Sequence, residues 1–154
     1  MVNKWMLTGE FKYSLDDKGR LMIPARMRSA IVGNVLIVTR GVEKCIWLFS
    51  PEEWKRISQD MLLSSSLFHE KARLIQRRIL APAQEIEIDK SGRISIPQTL
   101  REYANLKKEC IILGMLKYME IWDEENYLEF WNENESKFRD AAEELGGKVT
   151  FRDE

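Results

Sequence analysis

Two short stretches of the chain alternate apolar and polar positions with the two-residue period of a half-buried strand. Phe11, Tyr13 and Leu15 share one face in the first; Ile86 and Ile88 share one face in the second. Each stretch runs into a turn, Asp16–Arg20 or Asp89–Arg93. There an Asp can accept hydrogen bonds from the backbone that follows it, and a Gly supplies the positive φ of a tight reversal. Leu21 and Ile23, and later Ile94 and Ile96, resume the alternation, so each stretch predicts a hairpin or a tightly turned strand pair. Pro24 and Pro97 end these strands and suit the first position of a short helix. Met27, Ala30 and Ile31 give the first of these helices its apolar face, and Leu100, Tyr103 and Ala104 the second. Two further strands are predicted in each half, about Val35–Thr39 with Cys45–Phe49 and about Cys110–Leu113 with Met119–Trp122. Ser50-Pro51-Glu52-Glu53 forms a capping box with proline at the first helical position, opening a helix through Ile57.

The same order of elements in both halves reflects an internal repeat. A shift of 73 residues lays LDDKGRLMIPARMR (15–28) on IDKSGRISIPQTLR (88–101) without a gap, and Gly41, Lys44 and Glu52 then fall on Gly114, Lys117 and Glu125. The chain therefore contains two copies of one unit, spanning residues 7–57 and 82–130. Residues 58–81 hold no Gly, and up to Leu80 Leu67, Ala72, Ile75 and Ile79 keep helical spacing, which predicts a connecting helix with Lys71, Arg73, Arg77 and Arg78 on its polar side. In the last segment Tyr127, Trp131, Asn134 and Phe138 recur three or four residues apart, so residues 131–154 are read as an acidic helix ended by Gly146-Gly147 and a frayed tail.

Charge sharpens this picture. Residues 1–119 carry 20 Lys and Arg against 13 Asp and Glu, while residues 120–154 carry 4 against 12. A basic nucleic-acid surface followed by an acidic segment gives this split. So does a solvated acidic helix. Hydrophobic residues at 44% and charged residues at 32% argue for a folded globular chain. No apolar run approaches the roughly 20 residues of a membrane span, and the first residues lack the apolar core of a signal peptide. With two cysteines and one histidine, His69, there is no disulfide framework and no histidine-pair metal site. A phosphate-cradling glycine loop and a nucleophile elbow are also missing, so neither an enzyme nor a cofactor is expected.

The repeated Asp-x-x-Gly-Arg then stands out. Asp and Gly are explained by the turn alone. Arg20 and Arg93 are not, because an exposed ion pair contributes only about 0–1 kcal/mol. Two rigidly presented guanidinium groups suit phosphate or guanine recognition, and Arg26, Arg28 and Arg101 follow on the adjacent helices.

The pair DDKGRLMIPARMR and DKSGRISIPQTLR, with WLFSPEEW and EIWDEENY at matching distances, resembles the bacterial MraZ family of tandem AbrB/SpoVT-type domains. The likeness runs from about Met6 to about Phe138, with Lys18 replaced by Ser91 and Arg26 by Thr99 in the second copy. It implies an α+β, mainly β fold in which two pseudo-symmetric swapped-hairpin units form one β-barrel-like core with short flanking helices. It also implies a cytoplasmic, nucleoid-associated transcription factor. Such a protein binds direct repeats in double-stranded DNA upstream of the division and cell-wall operon, its own gene included, as a homo-oligomeric ring. The motif maps onto Arg20 and Arg93 as base or phosphate readers. Lys18, Lys90, Arg26, Arg28 and Arg101 supply further contacts, and Asp16, Gly19, Asp89 and Gly92 shape the turns. A competing expectation is an antitoxin-like module that holds a protein partner through its acidic C-terminal segment.

Overall fold

A computed structural model describes residues 7–63 and 66–148. They divide into two compact units, one ending at Asp123 and the other beginning at Glu124.

In the first unit the 73-residue shift reappears as structure. Strand β1 (Leu7–Ser14) corresponds to β5 (Gln84–Glu87), β2 (Arg20–Met22) to β6 (Arg93–Ser95), and helix α1 (Ala25–Ala30) to α4 (Gln98–Tyr103). Strand β3 (Val35–Arg40) corresponds to β7 (Glu109–Leu116), and β4 (Ile46–Phe49) to β8 (Met119–Asp123). The two copies do not fold side by side. Six strands form one sheet in the order β1-β7-β8-β4-β3-β5, which reads the same when the copies are exchanged. β1 of the first copy pairs with β7 of the second, and β5 of the second pairs with β3 of the first. Strands β4 and β8 meet on the pseudo-twofold axis.

This exchange corrects the local hairpins expected from the alternation. The turn does reverse the chain, with Asp16 N–H donating to the Arg20 carbonyl at 2.9 Å, but its two arms then take different partners. β1 enters the large sheet, while β2 pairs with β6 in a separate two-stranded ribbon. The period-two signal is local and carries no information about which strand lies alongside. The barrel-like core that the resemblance implies is not a hydrogen-bonded closed barrel among the described residues, because β2 and β6 pair apart from the six-stranded sheet and β1 and β5 remain its edges. The core is enclosed instead by side chains. Leu21 and Ile94, opposite one another in the ribbon, are fully buried and pack with Leu36, Val38, Ile112 and Ile121 of the sheet. The class is thus α+β with a β core, flanked by short helices whose Met27, Leu100 and Ala104 are buried as the spacing predicts. Pro24 and Pro97 stand one residue before the helices, at the N-caps.

The connecting segment departs further from expectation. Helix α2 (Pro51–Leu63) opens at the capping box, where Ser50 Oγ accepts from Glu53 N–H at 3.2 Å, but it runs past Ile57 to Leu63. Helix α3 begins only at Glu70 and passes at Ile75 into a π-helical turn, Gln76–Leu80. Between them Ser66 Oγ accepts from Phe68 N–H, and the Ser66 carbonyl accepts from His69 N–H. Such a serine turn competes with the helical ladder. Leu67 is accordingly exposed, and only Ile79 of the expected apolar face is buried.

Two polar contacts inside the sheet have no local signal. Glu120 is buried opposite Trp47, and its carboxylate accepts from the indoles of Trp47 at 2.9 Å and Trp122 at 3.0 Å. Asp123 accepts from the Lys107 backbone at 3.1 Å and from its Nζ at 2.7 Å. Cys45 and Cys110 are free and buried; burial pushes both thiols up, Cys110 to about 12.

The described residues of the second unit form α5 (Glu124–Gly146), a single 23-residue helix with no break at residue 131, and the turn that follows it. It ends at Gly146 as expected; all of the expected frayed tail but Lys148 lies outside the described residues. Among the described residues no helix is long and apolar enough to cross a membrane.

Candidate nucleic-acid interface

Residues 16–20 and 89–93 build the same turn twice. Asp16 Oδ1 accepts from the backbone N–H groups of Lys18 at 2.9 Å and Arg20 at 2.8 Å, and Oδ2 accepts from Arg20 Nε at 2.7 Å. Asp89 does likewise with Ser91 at 2.9 Å, Arg93 N–H at 3.0 Å and Arg93 Nε at 3.2 Å. These backbone bonds, with the arginine behind them, hold both carboxyls below the ordinary carboxylate range. Gly19 and Gly92 adopt φ of 74° and 85°, the left-handed region that closes the turn.

The glycines serve a second purpose. A Cβ at Gly19 would stand 2.7 Å from the Arg101 guanidinium carbon, and one at Gly92 would stand 2.5 Å from that of Arg28. Each helix arginine therefore lies across the turn of the other copy. The backbone adds to this lock: Ile23 N–H donates to the Gly92 carbonyl and Ile96 N–H to the Gly19 carbonyl, both at 2.9 Å. Arg93 Nη1 also reaches to 3.9 Å from Asp16 Oδ2, so the two turns share charge.

Between the turns lies the ribbon. Arg20 pairs with Ser95, Leu21 with Ile94, and Met22 with Arg93. Because side chains alternate along a strand, burial of Leu21 and Ile94 puts Arg20, Met22, Arg93 and Ser95 on the outward face. Arg20 and Arg93 lie two residues apart along it, roughly 7 Å. Their side chains are 28% and 32% exposed, and the terminal nitrogens of Arg20 donate to no described residue. A carboxylate thus fixes Nε of each arginine. The charged tip of Arg20 stays available and that of Arg93 has only the long 3.9 Å approach to Asp16, which is how a planar donor is held ready for a phosphate or base edge.

The remaining sequence candidates sort by position. Lys18 and Lys90 are exposed on the turns, and Arg26 is exposed at the start of α1, with only a 3.5 Å approach to Thr8 Oγ1. Arg28 and Arg101 are half-buried over the glycines; Arg101 Nε donates to the Ile96 carbonyl at 3.0 Å, whereas Arg28 Nε is buried without a partner. Met22 and Ser95 belong to the same outward face, and the alternation around Leu21 and Ile94 is the signal that places them there.

Comparison with known proteins returns the same doubling. Residues 6–78 and 79–148 each match the model of the MraZ protein, a family described as antitoxin-like. The chain belongs to the MraZ family. Among its relatives, the transcriptional regulator MraZ of Treponema denticola is 50% identical over 140 residues, covering 91% of this chain and 97% of the relative. The transcriptional regulator MraZ of Treponema pallidum subsp. pallidum is 46% identical over 138 residues, covering 90% and 93%. The boundary between the two MraZ matches falls inside the π-helical turn, just before the exchanged strand β5.

Proposed function

We propose that this protein is a transcriptional regulator that binds double-stranded DNA through the β2–β6 ribbon and acts without catalysis. The observation that carries the reading is the outward face of that ribbon, where two copies of one turn present Arg20 and Arg93 on the same side, two residues apart. The major groove admits a two-stranded ribbon, and Arg is the residue that reads guanine edges bidentately. Arg20 and Arg93 make the base or phosphate contacts. Lys18, Lys90 and Arg26, exposed around them, neutralise phosphates without regard to sequence. Arg28 and Arg101 hold the turns in place, and their charge adds to the field at the ribbon.

The target is a set of direct repeats upstream of the division and cell-wall operon, its own gene included, read on the nucleoid by a ring of subunits. Subunits related by rotation present the same ribbon to successive half-sites, which suits direct repeats; a twofold dimer would favour a palindrome. The names of the Treponema relatives support the regulatory role. Fluorescence anisotropy on the protein's own upstream region tests the reading. Direct repeats should bind more tightly than the same half-sites placed as inverted repeats, and duplex RNA should not compete. Equal binding to all three would overturn it.

A further inference from the structure

The two units carry apolar surfaces of opposite charge. On the first, Val42, Leu74, Ile75, Arg78 and Ile79 line an open groove of about 300 Å³. Val42 is 62% exposed and Leu74 58%, an unusual state for aliphatic residues gathered in one place. Cations crowd its edge. Arg78, Arg40 and Lys44 converge on the ring of Tyr103 at 5.6, 5.3 and 4.4 Å, and none of the three forms an ion pair with a described carboxylate. Arg40 Nε is buried without a partner. Lys71, Arg73 and Arg77 add charge on the same α3 and π-helical segment, against Glu70 alone.

On the second unit, α5 shows the converse. Tyr127, Trp131, Asn134, Phe138, Ala141 and Leu145 recur at alternating intervals of four and three, the spacing of a seam that packs on a partner. Tyr127, Trp131 and Phe138 touch edge to face, at 6.3 Å and 5.9 Å between ring centres. Phe138 and Leu145 are more than half exposed. Around the seam the helix carries eight Asp and Glu against two Lys and Arg. Two such helices would repel one another, so the seam is unsuited to pairing with itself. DNA is an equally poor occupant of the groove, because phosphates leave its four apolar side chains uncovered.

We infer that α5 of one copy docks into the Val42–Leu74–Ile75–Ile79 groove of another, its aromatic seam filling the groove and its carboxylates meeting Arg78, Arg40 and Lys44. The contact joins two different surfaces of the same chain. Head-to-tail association of this kind closes a ring when the rotation between neighbours allows it. An apolar centre with a charged rim is the usual anatomy of such an interface. The inference rests on the ring reading above and names the surfaces that build the ring.

Complementation between two variants tests it. Leu74→Asp/Ile75→Asp spoils the groove and Trp131→Asp/Phe138→Asp spoils the seam; all four side chains are exposed, and circular dichroism checks that both variants fold. Light scattering should give a multi-subunit mass for wild type and a monomer for each variant. A 1:1 mixture should double that mass to a dimer and stop there, since one good groove and one good seam remain. A mixture that stays monomeric, or variants that keep the wild-type mass, would overturn the inference. A monomeric wild type would overturn the ring reading with it, while binding of either variant to a single half-site reports on the ribbon separately.

Discussion

The guanidinium of Arg28 lies across Gly92, in the place a Cβ would occupy, and the relation between Arg101 and Gly19 is its pseudo-symmetric twin. Each copy's turn is therefore completed by the other copy, and neither Arg20 nor Arg93 stands on a turn built by one half of the chain alone. Gly92→Ala meets two obstacles, the positive φ and the arginine. It should destabilise the protein by at least about 1–2 kcal/mol, the ordinary cost of a left-handed non-glycine residue. Urea unfolding of Gly92→Ala, Arg28→Ala and the double variant separates the two effects. The double variant should recover more than about 0.5 kcal/mol over additivity; strict additivity would mean that the arginine does not press on the turn.

Asp16 is expected to matter for DNA binding although its own charge opposes DNA. It fixes Arg20 Nε and the backbone of the turn at once. Asp16→Ala should weaken binding to the target duplex several-fold while leaving binding to unrelated duplex unchanged or stronger. Isothermal titration on both duplexes reads the split. Equal strengthening on both would show that the carboxylate only repels DNA.

The depressed carboxyls of Asp16 and Asp89 fix a pH dependence. A folded-state value below the unfolded one, about 3.9, means that the unfolded chain binds the proton more readily. The stabilisation is complete above about pH 4 and is lost as pH falls through the depressed folded values. Wild type should therefore lose stability below pH 4 more steeply than Asp16→Asn/Asp89→Asn. Parallel curves would contradict the assignment.

Glu120 tests the pseudo-twofold axis. Replacing it with Leu strands the indole N–H groups of Trp47 and Trp122. A buried donor left unsatisfied costs about 1–3 kcal/mol, so thermal unfolding of Glu120→Leu should begin well below that of wild type. Glu120→Gln, which keeps one acceptor oxygen, should fall between them. No change in either would show that water replaces the carboxylate.

The sequence repeat made much of the architecture legible. Shifting the chain by 73 residues aligns the turns, the prolines and the apolar faces, and every strand of one copy finds its counterpart in the other. What alternation could not reveal was partnership. Phe11 and Tyr13 mark β1 as a strand, yet nothing local says that it lies beside β7 rather than folding back on β2. Helical periodicity misled over residues 66–69, where the hydrogen bonds of Ser66 outweigh the spacing of Leu67. At the candidate site the residues were legible one at a time, as Asp, Gly and Arg of a turn. Their assembly across copies was not, because Arg28 and Gly92 are 64 residues apart and only the exchange of strands brings them together. The buried Glu120 and the three cations on Tyr103 escaped for the same reason.

The proposed reading of DNA by the ribbon turns on Arg20 and Arg93. The most direct measurement is anisotropy on the protein's own upstream duplex, titrated with salt, for wild type and Arg20→Ala/Arg93→Ala. Wild type should bind tightly, with an affinity that falls steeply with salt, and each base-reading arginine removed should cost at least about 1–3 kcal/mol. A folded double variant that binds this duplex as tightly as wild type, with the same salt slope, would contradict it.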